Sequence, residues 1–125
     1  MDDFYYRKLK VYHISKQLVA DIYQLLDHFP PKERQALTNQ LQRAAISIPS
    51  NIAEGMGRFS IKERIRFIEI AFGSLTETMC QLELAETLKY ITPEQLHTQE
   101  IKIKEIARML LGLKKTLEDK QNKIN

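Results

Sequence analysis

Arg43, Ser47, Asn51, Glu54 and Arg58 follow one another at steps of four, four, three and four residues. At about 100° per residue, that spacing holds all five within about 80° of one another on a helix surface. Two guanidinium groups then bracket a hydroxyl, an amide and a carboxylate, a set able to recognise an anionic partner by charge and hydrogen bonding. The same set also serves a helix built through Pro49, which has no amide hydrogen to donate to the Ala45 carbonyl. In that case Ser47, Ser50, Asn51 or a water meets the orphaned carbonyl, and Glu54 pairs with Arg58 one turn on. The residues alone leave both readings open.

Other chemistry is thinly represented. His13, His28 and His97 lie in three separate helical regions, and none has a second histidine or a cysteine at ligand spacing. No metal or cofactor is therefore expected. Cys80 is the single cysteine, which excludes an intrachain disulfide and makes the cytoplasm the default compartment. Next to Met79 on an apolar seam, it reads as a small packing residue. Gly55 to Arg58 lacks the spacing of a phosphate-binding loop. Glu83 and Glu86 fall on a solvated helix, without the E-x-x-H repeats of a di-metal bundle. No nucleophile has a base beside it, so the chain is expected not to be an enzyme.

The elements that carry these residues are helical throughout. Val11, Ile14, Leu18, Ile22, Leu25 and Phe29 step by three or four, as do Leu37, Leu41, Ala44, Ile48 and Ile52. Ile65, Ile68, Phe72, Leu75, Met79 and Leu82 form a third stripe, and Ile103, Ile106, Leu110, Leu113 and Leu117 a fourth. Steps averaging 3.5 are those of coiled-coil-like packing. Pro30 and Pro31 stop the first helix, because a residue before proline resists the α region. Ser60 with Glu63 and Thr92 with Gln95 read as capping boxes, and Gly55 and Gly57 as sources of positive φ ending the second helix. The spacing predicts helices over about 7–28, 32–56, 61–90 and 93–121. The second continues through Pro49 with a kink; a break at Ile48 is the alternative. Short connections make this an all-α, antiparallel up-down-up-down four-helix bundle, one domain over residues 1–125. The last eleven residues read as a fraying end. Ala71, Gly73, Ser74 and Thr78 are small, which points to a close approach by a neighbouring helix or subunit, with Glu77 placed to meet Arg43 or Arg58.

Charge is segregated along the chain. Residues 32–66 carry seven basic and three acidic side chains, residues 67–100 one and six, and residues 101–125 seven and three. No apolar run approaches the length of about 20 residues needed to span a bilayer, and the mixed, acidic start is not that of a secretory signal.

QLQRAAISIPSNIAEGMGR (40–58), then FIEIAFGSLTETMCQLELA (67–85), with LKVYHISKQLVADIYQLLDHFPPKER (9–34) before them, resembles the four-helix bundle family encoded in intervening sequences of bacterial 23S ribosomal RNA genes. Its members often carry an S23 ribosomal protein label. The long motif R-A-x-x-S-I-P-x-N-I-A-E-G, here Arg43 to Gly55, carries the likeness; Tyr12 stands where the family usually has tryptophan. The resemblance implies a homo-oligomer, a ring-shaped pentamer with a central channel. The accessory variability determinant of diversity-generating retroelements is similar, and has a basic ring surface that associates with nucleic acid and a reverse transcriptase. Motif positions carried over as structural or interface residues are Ser47, Pro49, Asn51, Glu54, Gly55, Gly73, Ser74 and Glu77.

The function expected is non-enzymatic binding of RNA or DNA through basic helix faces. Arg43, Arg58, Lys62, Arg64, Arg66, Lys102, Lys104, Arg108, Lys114 and Lys115 are the candidate contacts, and affinity carried by them falls steeply with salt. Aromatic residues do not interleave these clusters, which argues against base stacking. The alternative is a scaffold that holds a partner protein, anchored by Phe4, Tyr5 and Tyr6.

Overall fold

The computed structural model describes residues 4–124, so the acidic pair at positions 2 and 3 lies outside the described residues. Four α-helices carry the fold: α1 (Lys10–Leu26), α2 (Leu37–Met56), α3 (Ile61–Thr87) and α4 (Pro93–Ile124). Short 3-10 turns precede α1 at Tyr5–Lys8 and α2 at Pro31–Glu33, and no strand occurs among the described residues. Each helix packs on its sequence neighbours and α1 closes against α4, which makes a four-helix bundle. Gln40 faces Gln81, Ser47 faces Ser74 and Gly55 faces Phe67, so α2 and α3 run antiparallel.

The apolar stripes supply the core. All six residues of the first stripe and all five of the second are buried, with Leu18, Ile22, Leu41, Ile48 and Ile52 fully so. Ile68, Leu75 and Leu82 join them from α3, and Ile103, Ile106, Leu110 and Leu117 from α4. Ile65, Phe72, Met79 and Leu113 are half-buried at its margin.

Helix ends differ from expectation where local chemistry intervenes. Leu9 is extended, so α1 begins at Lys10. Pro30 is extended with ψ 152° and Ala36 leaves helical space, so α2 begins only at Leu37. Helix α4 continues to Ile124, beyond the fraying end expected there. At Thr92 the box is complete: its hydroxyl accepts from the Gln95 amide at 3.1 Å and Gln95 Oε1 accepts from the Thr92 amide at 2.9 Å. At Ser60 only half forms, because the Glu63 carboxylate turns to Arg66 at 3.7 Å. The Tyr90 hydroxyl donates to Glu33 at 2.8 Å, tying the α3–α4 turn to the one before α2. That carboxylate holds the phenol above its ordinary value of 10.0.

No described glycine has a positive φ, contrary to the role expected for Gly55 and Gly57. The left-handed residue is Lys89, φ 65°, one position past the C-cap of α3. The Tyr90 amide donates to the Ala85 carbonyl and the Lys89 amide to that of Glu86, closing a Schellman motif. A side chain in this conformation costs about 1 kcal/mol that glycine avoids. Lys89→Gly is therefore expected to stabilise the bundle by about 1 kcal/mol in chemical denaturation, with an unchanged helical spectrum.

Candidate nucleic-acid interface

Helix α2 runs unbroken through Pro49. The polar residues around the proline are organised toward α3. The hydroxyls of Ser47 and Ser74 lie 2.7 Å apart across the interface. Asn51 Nδ2 donates to the Ser47 carbonyl at 2.7 Å and to its hydroxyl at 2.8 Å, and Thr78 donates to the Ser74 carbonyl at 2.8 Å. Asn51 therefore reinforces the carbonyl of Ser47, where Ala45 had been its expected partner. The hydroxyls of Ser47, Ser74 and Thr78 and the amide nitrogen of Asn51 are all engaged, so the seam sets how α2 and α3 meet.

The two ends of the stripe part company. Glu54 and Arg58 pair at i, i+4 as expected. Arg43 is exposed and has no acidic partner among the described residues; it sits some 22 Å from Arg58 along the helix at about 1.5 Å per residue. Glu77 is exposed and meets neither arginine. Gly55 owes its place to packing, since a Cβ there would sit 2.7 Å from Phe67 Cβ. Gly73 is different: nothing lies within 4 Å of the Cβ it lacks, so no close approach within the chain explains it. Cys80 is exposed, against the expectation of a packed residue.

The ten basic candidates do not share one face. Lys102 pairs with Asp21, Lys104 with Glu100 at 3.0 Å, and Lys114 with Glu69 at 3.1 Å. Glu69 accepts a hydrogen bond from Lys114 and raises its pKa. Arg108, Lys62 and Lys115 are exposed without acidic partners among the described residues. Several of the candidates fall at one end of the bundle, where the start of α3, just after the α2–α3 turn, meets the last turns of α4. There Lys62 and Arg66 share a crevice of about 320 Å³ with three carboxylates, Glu63, Glu69 and Glu118, of which Glu63 pairs with Arg66 and Glu69 with Lys114. Arg64 donates from Nε to the Arg58 carbonyl at 2.7 Å, and the guanidinium of Arg58 lies 4.7 Å from the centre of the Phe67 ring.

Three features of this surface escaped the sequence reading. Phe59, in the turn between Arg58 and Lys62, is fully exposed, so an aromatic does stand among the basic candidates, which corrects the expectation that none interleaves them. Lys120 and Lys123 extend the basic end along α4, without acidic partners among the described residues. On the flank, Tyr12, Lys16, Tyr23, Ile46 and Pro49 line an apolar groove of about 540 Å³ between α1 and α2. Of the anchors proposed before α1, Phe4 and Tyr5 are exposed, while Tyr6 packs edge-on to Tyr12 at 4.7 Å between centroids. Among the described residues no group of three or more histidine, cysteine or carboxylate side chains is arranged to hold a metal, and no helix is long and apolar enough to cross a membrane.

A sequence model of the 23S rRNA-intervening sequence protein family matches residues 7–112. The fold is similar to the crystal structure of a protein of unknown function from the S23 ribosomal protein family of Bacteroides thetaiotaomicron VPI-5482. The two share 27% identity over 84% of this chain and 98% of that one, with a TM-score of 0.77. No curated protein matches the chain.

Proposed function

The chain belongs to the 23S rRNA-intervening sequence protein family, and from that premise we propose that it is a non-enzymatic homo-oligomer, a ring-shaped pentamer, that binds RNA or DNA in the cytoplasm. The observation that carries the proposal is that, of the basic candidates, Arg43, Lys62, Arg108 and Lys115 are exposed without acidic partners among the described residues, as are Lys120 and Lys123 further along α4. A cation already paired with a carboxylate must give up that partner to meet a phosphate; these need not. Each phosphate contact releases counterions, so affinity for structured ribosomal RNA fragments is expected to fall with salt at a log–log slope of about −0.7 to −0.9 per contact. Gel-shift titrations across a salt series measure that slope. Absence of any shift at low salt removes the reading. Light scattering tests assembly separately: a mass of 14.7 kDa at micromolar concentration, that of one chain, contradicts the oligomer.

The groove between α1 and α2 favours a second reading, a scaffold for a partner protein such as a nucleic-acid enzyme. Tyrosine-walled apolar grooves suit protein anchors better than phosphates. Specific recovery of one partner after nuclease treatment, lost with Tyr23→Ala, favours the scaffold.

A further inference from the structure

We propose that the end of the bundle formed by the α2–α3 turn and the last turns of α4 takes single-stranded nucleic acid, with Phe59 as a platform on which one base stacks. This deepens the nucleic-acid reading above and rests on it. Phe59 is completely exposed. No other large apolar side chain of the described residues is so bare; Ile124, at the end of α4, comes next at 74%.

The turn that presents Phe59 is held in place on both sides. Before it, the Gly57 amide donates to the Ala53 and Glu54 carbonyls, and the Arg58 amide to that of Gly55. After it, Ser60 caps α3 by accepting from the Glu63 amide. Arg64 reaches back to the Arg58 carbonyl at 2.7 Å, closing the turn from the side. Arg58 itself is turned away, onto Glu54 and the face of Phe67. What remains presented is a bare ring on a rigid mount, which lowers the ordering cost of binding.

The surroundings select the partner. Lys62 follows Phe59 by three residues and shares a crevice with the last turns of α4, which also bear Lys120 and Lys123. An exposed aromatic among cations that can follow a phosphate chain is the arrangement that binds single strands without sequence preference. In a duplex the base faces are already stacked, so the ring has nothing to meet. An anionic membrane suits the site less well, because one ring buries little apolar area and even a myristoyl chain anchors only marginally; Glu63, Glu118 and Asp119 lie among the cations and weaken the attraction to either polyanion alike.

The chain contains no tryptophan, so Phe59→Trp places a single fluorescent reporter at the site. Titration with an oligodeoxythymidine strand at low salt is expected to quench that fluorescence. Phe59→Ala is expected to weaken binding of the strand about tenfold while leaving duplex binding and the oligomer mass unchanged, and Phe59→Tyr to restore it. If Phe59→Ala binds strand and duplex as the parent does, the stacking proposal falls and the basic-surface reading stands. If the parent binds neither at low salt, both fall. Two further results overturn the proposal: a blue shift of the tryptophan on phosphatidylserine vesicles without quenching by the oligonucleotide, or a changed oligomer mass in Phe59→Ala.

Discussion

Gly55→Val is expected to lower the unfolding free energy by about 3 kcal/mol, and Gly55→Ala by about 1–2 kcal/mol. The mechanism is overpacking at a fixed point. A Cβ at position 55 would stand 2.7 Å from Phe67 Cβ and 3.5 Å from the Arg64 carbonyl. Neither atom is the free end of a flexible chain. Phe67 Cβ moves only with its backbone, and the ring beyond it is buried beneath the guanidinium groups of Arg58 and Arg66. Relief therefore requires α2 and α3 to separate near the turn that joins them. Thermal and urea denaturation followed by circular dichroism measure the loss. A Gly55→Ala variant as stable as the parent would show that the two helices part there without cost.

Pro49→Ala is expected to act in the opposite direction, raising the stability of the isolated chain by about 1–2 kcal/mol. Proline in a helix interior costs about 3 kcal/mol through its missing donor and its clash with the preceding turn. The substitution returns an amide able to bond the Ala45 carbonyl. Against that gain stand the greater freedom of the unfolded alanine chain and the loss of ring contacts lining the α1–α2 groove. Because the change reshapes the middle of α2, it is also expected to alter the oligomer mass. A variant with unchanged mass and unchanged thermal midpoint contradicts the account of Pro49 as a residue that shapes α2 and its subunit contacts.

The core was legible from spacing because a helix brings every third or fourth residue to one side, and the apolar residues at those positions are the buried ones, as Leu18, Ile48 and Leu82 illustrate. Thr92 and Gln95 were legible for a similar reason: their reciprocal bonds span three residues and need nothing from the rest of the fold. What went unread depends on register between helices. Ser47 meets Ser74 only because α2 and α3 align at that height. Gly55 looked like a helix terminator because its real constraint, Phe67, lies across the turn on another helix. The left-handed residue escaped notice because a lysine occupies it, where a glycine would have marked it. Phe59 belongs to none of the apolar stripes, and that was the available signal: an aromatic outside every periodic series, between Arg58 and Ser60.

The packing of each helix on its sequence neighbours bears on how the chain reaches its native state. Most of its contacts join residues brought together by closing short connections, and loop-closure entropy grows with the length closed. Chains of this topology fold in microseconds to milliseconds. The α2–α3 hairpin has the most extensive interface. It is joined by only four residues, Gly57 to Ser60, and its turn is fastened by local hydrogen bonds on both sides. This hairpin is thus the part of the chain best placed to form the folding nucleus on which α1 and α4 condense.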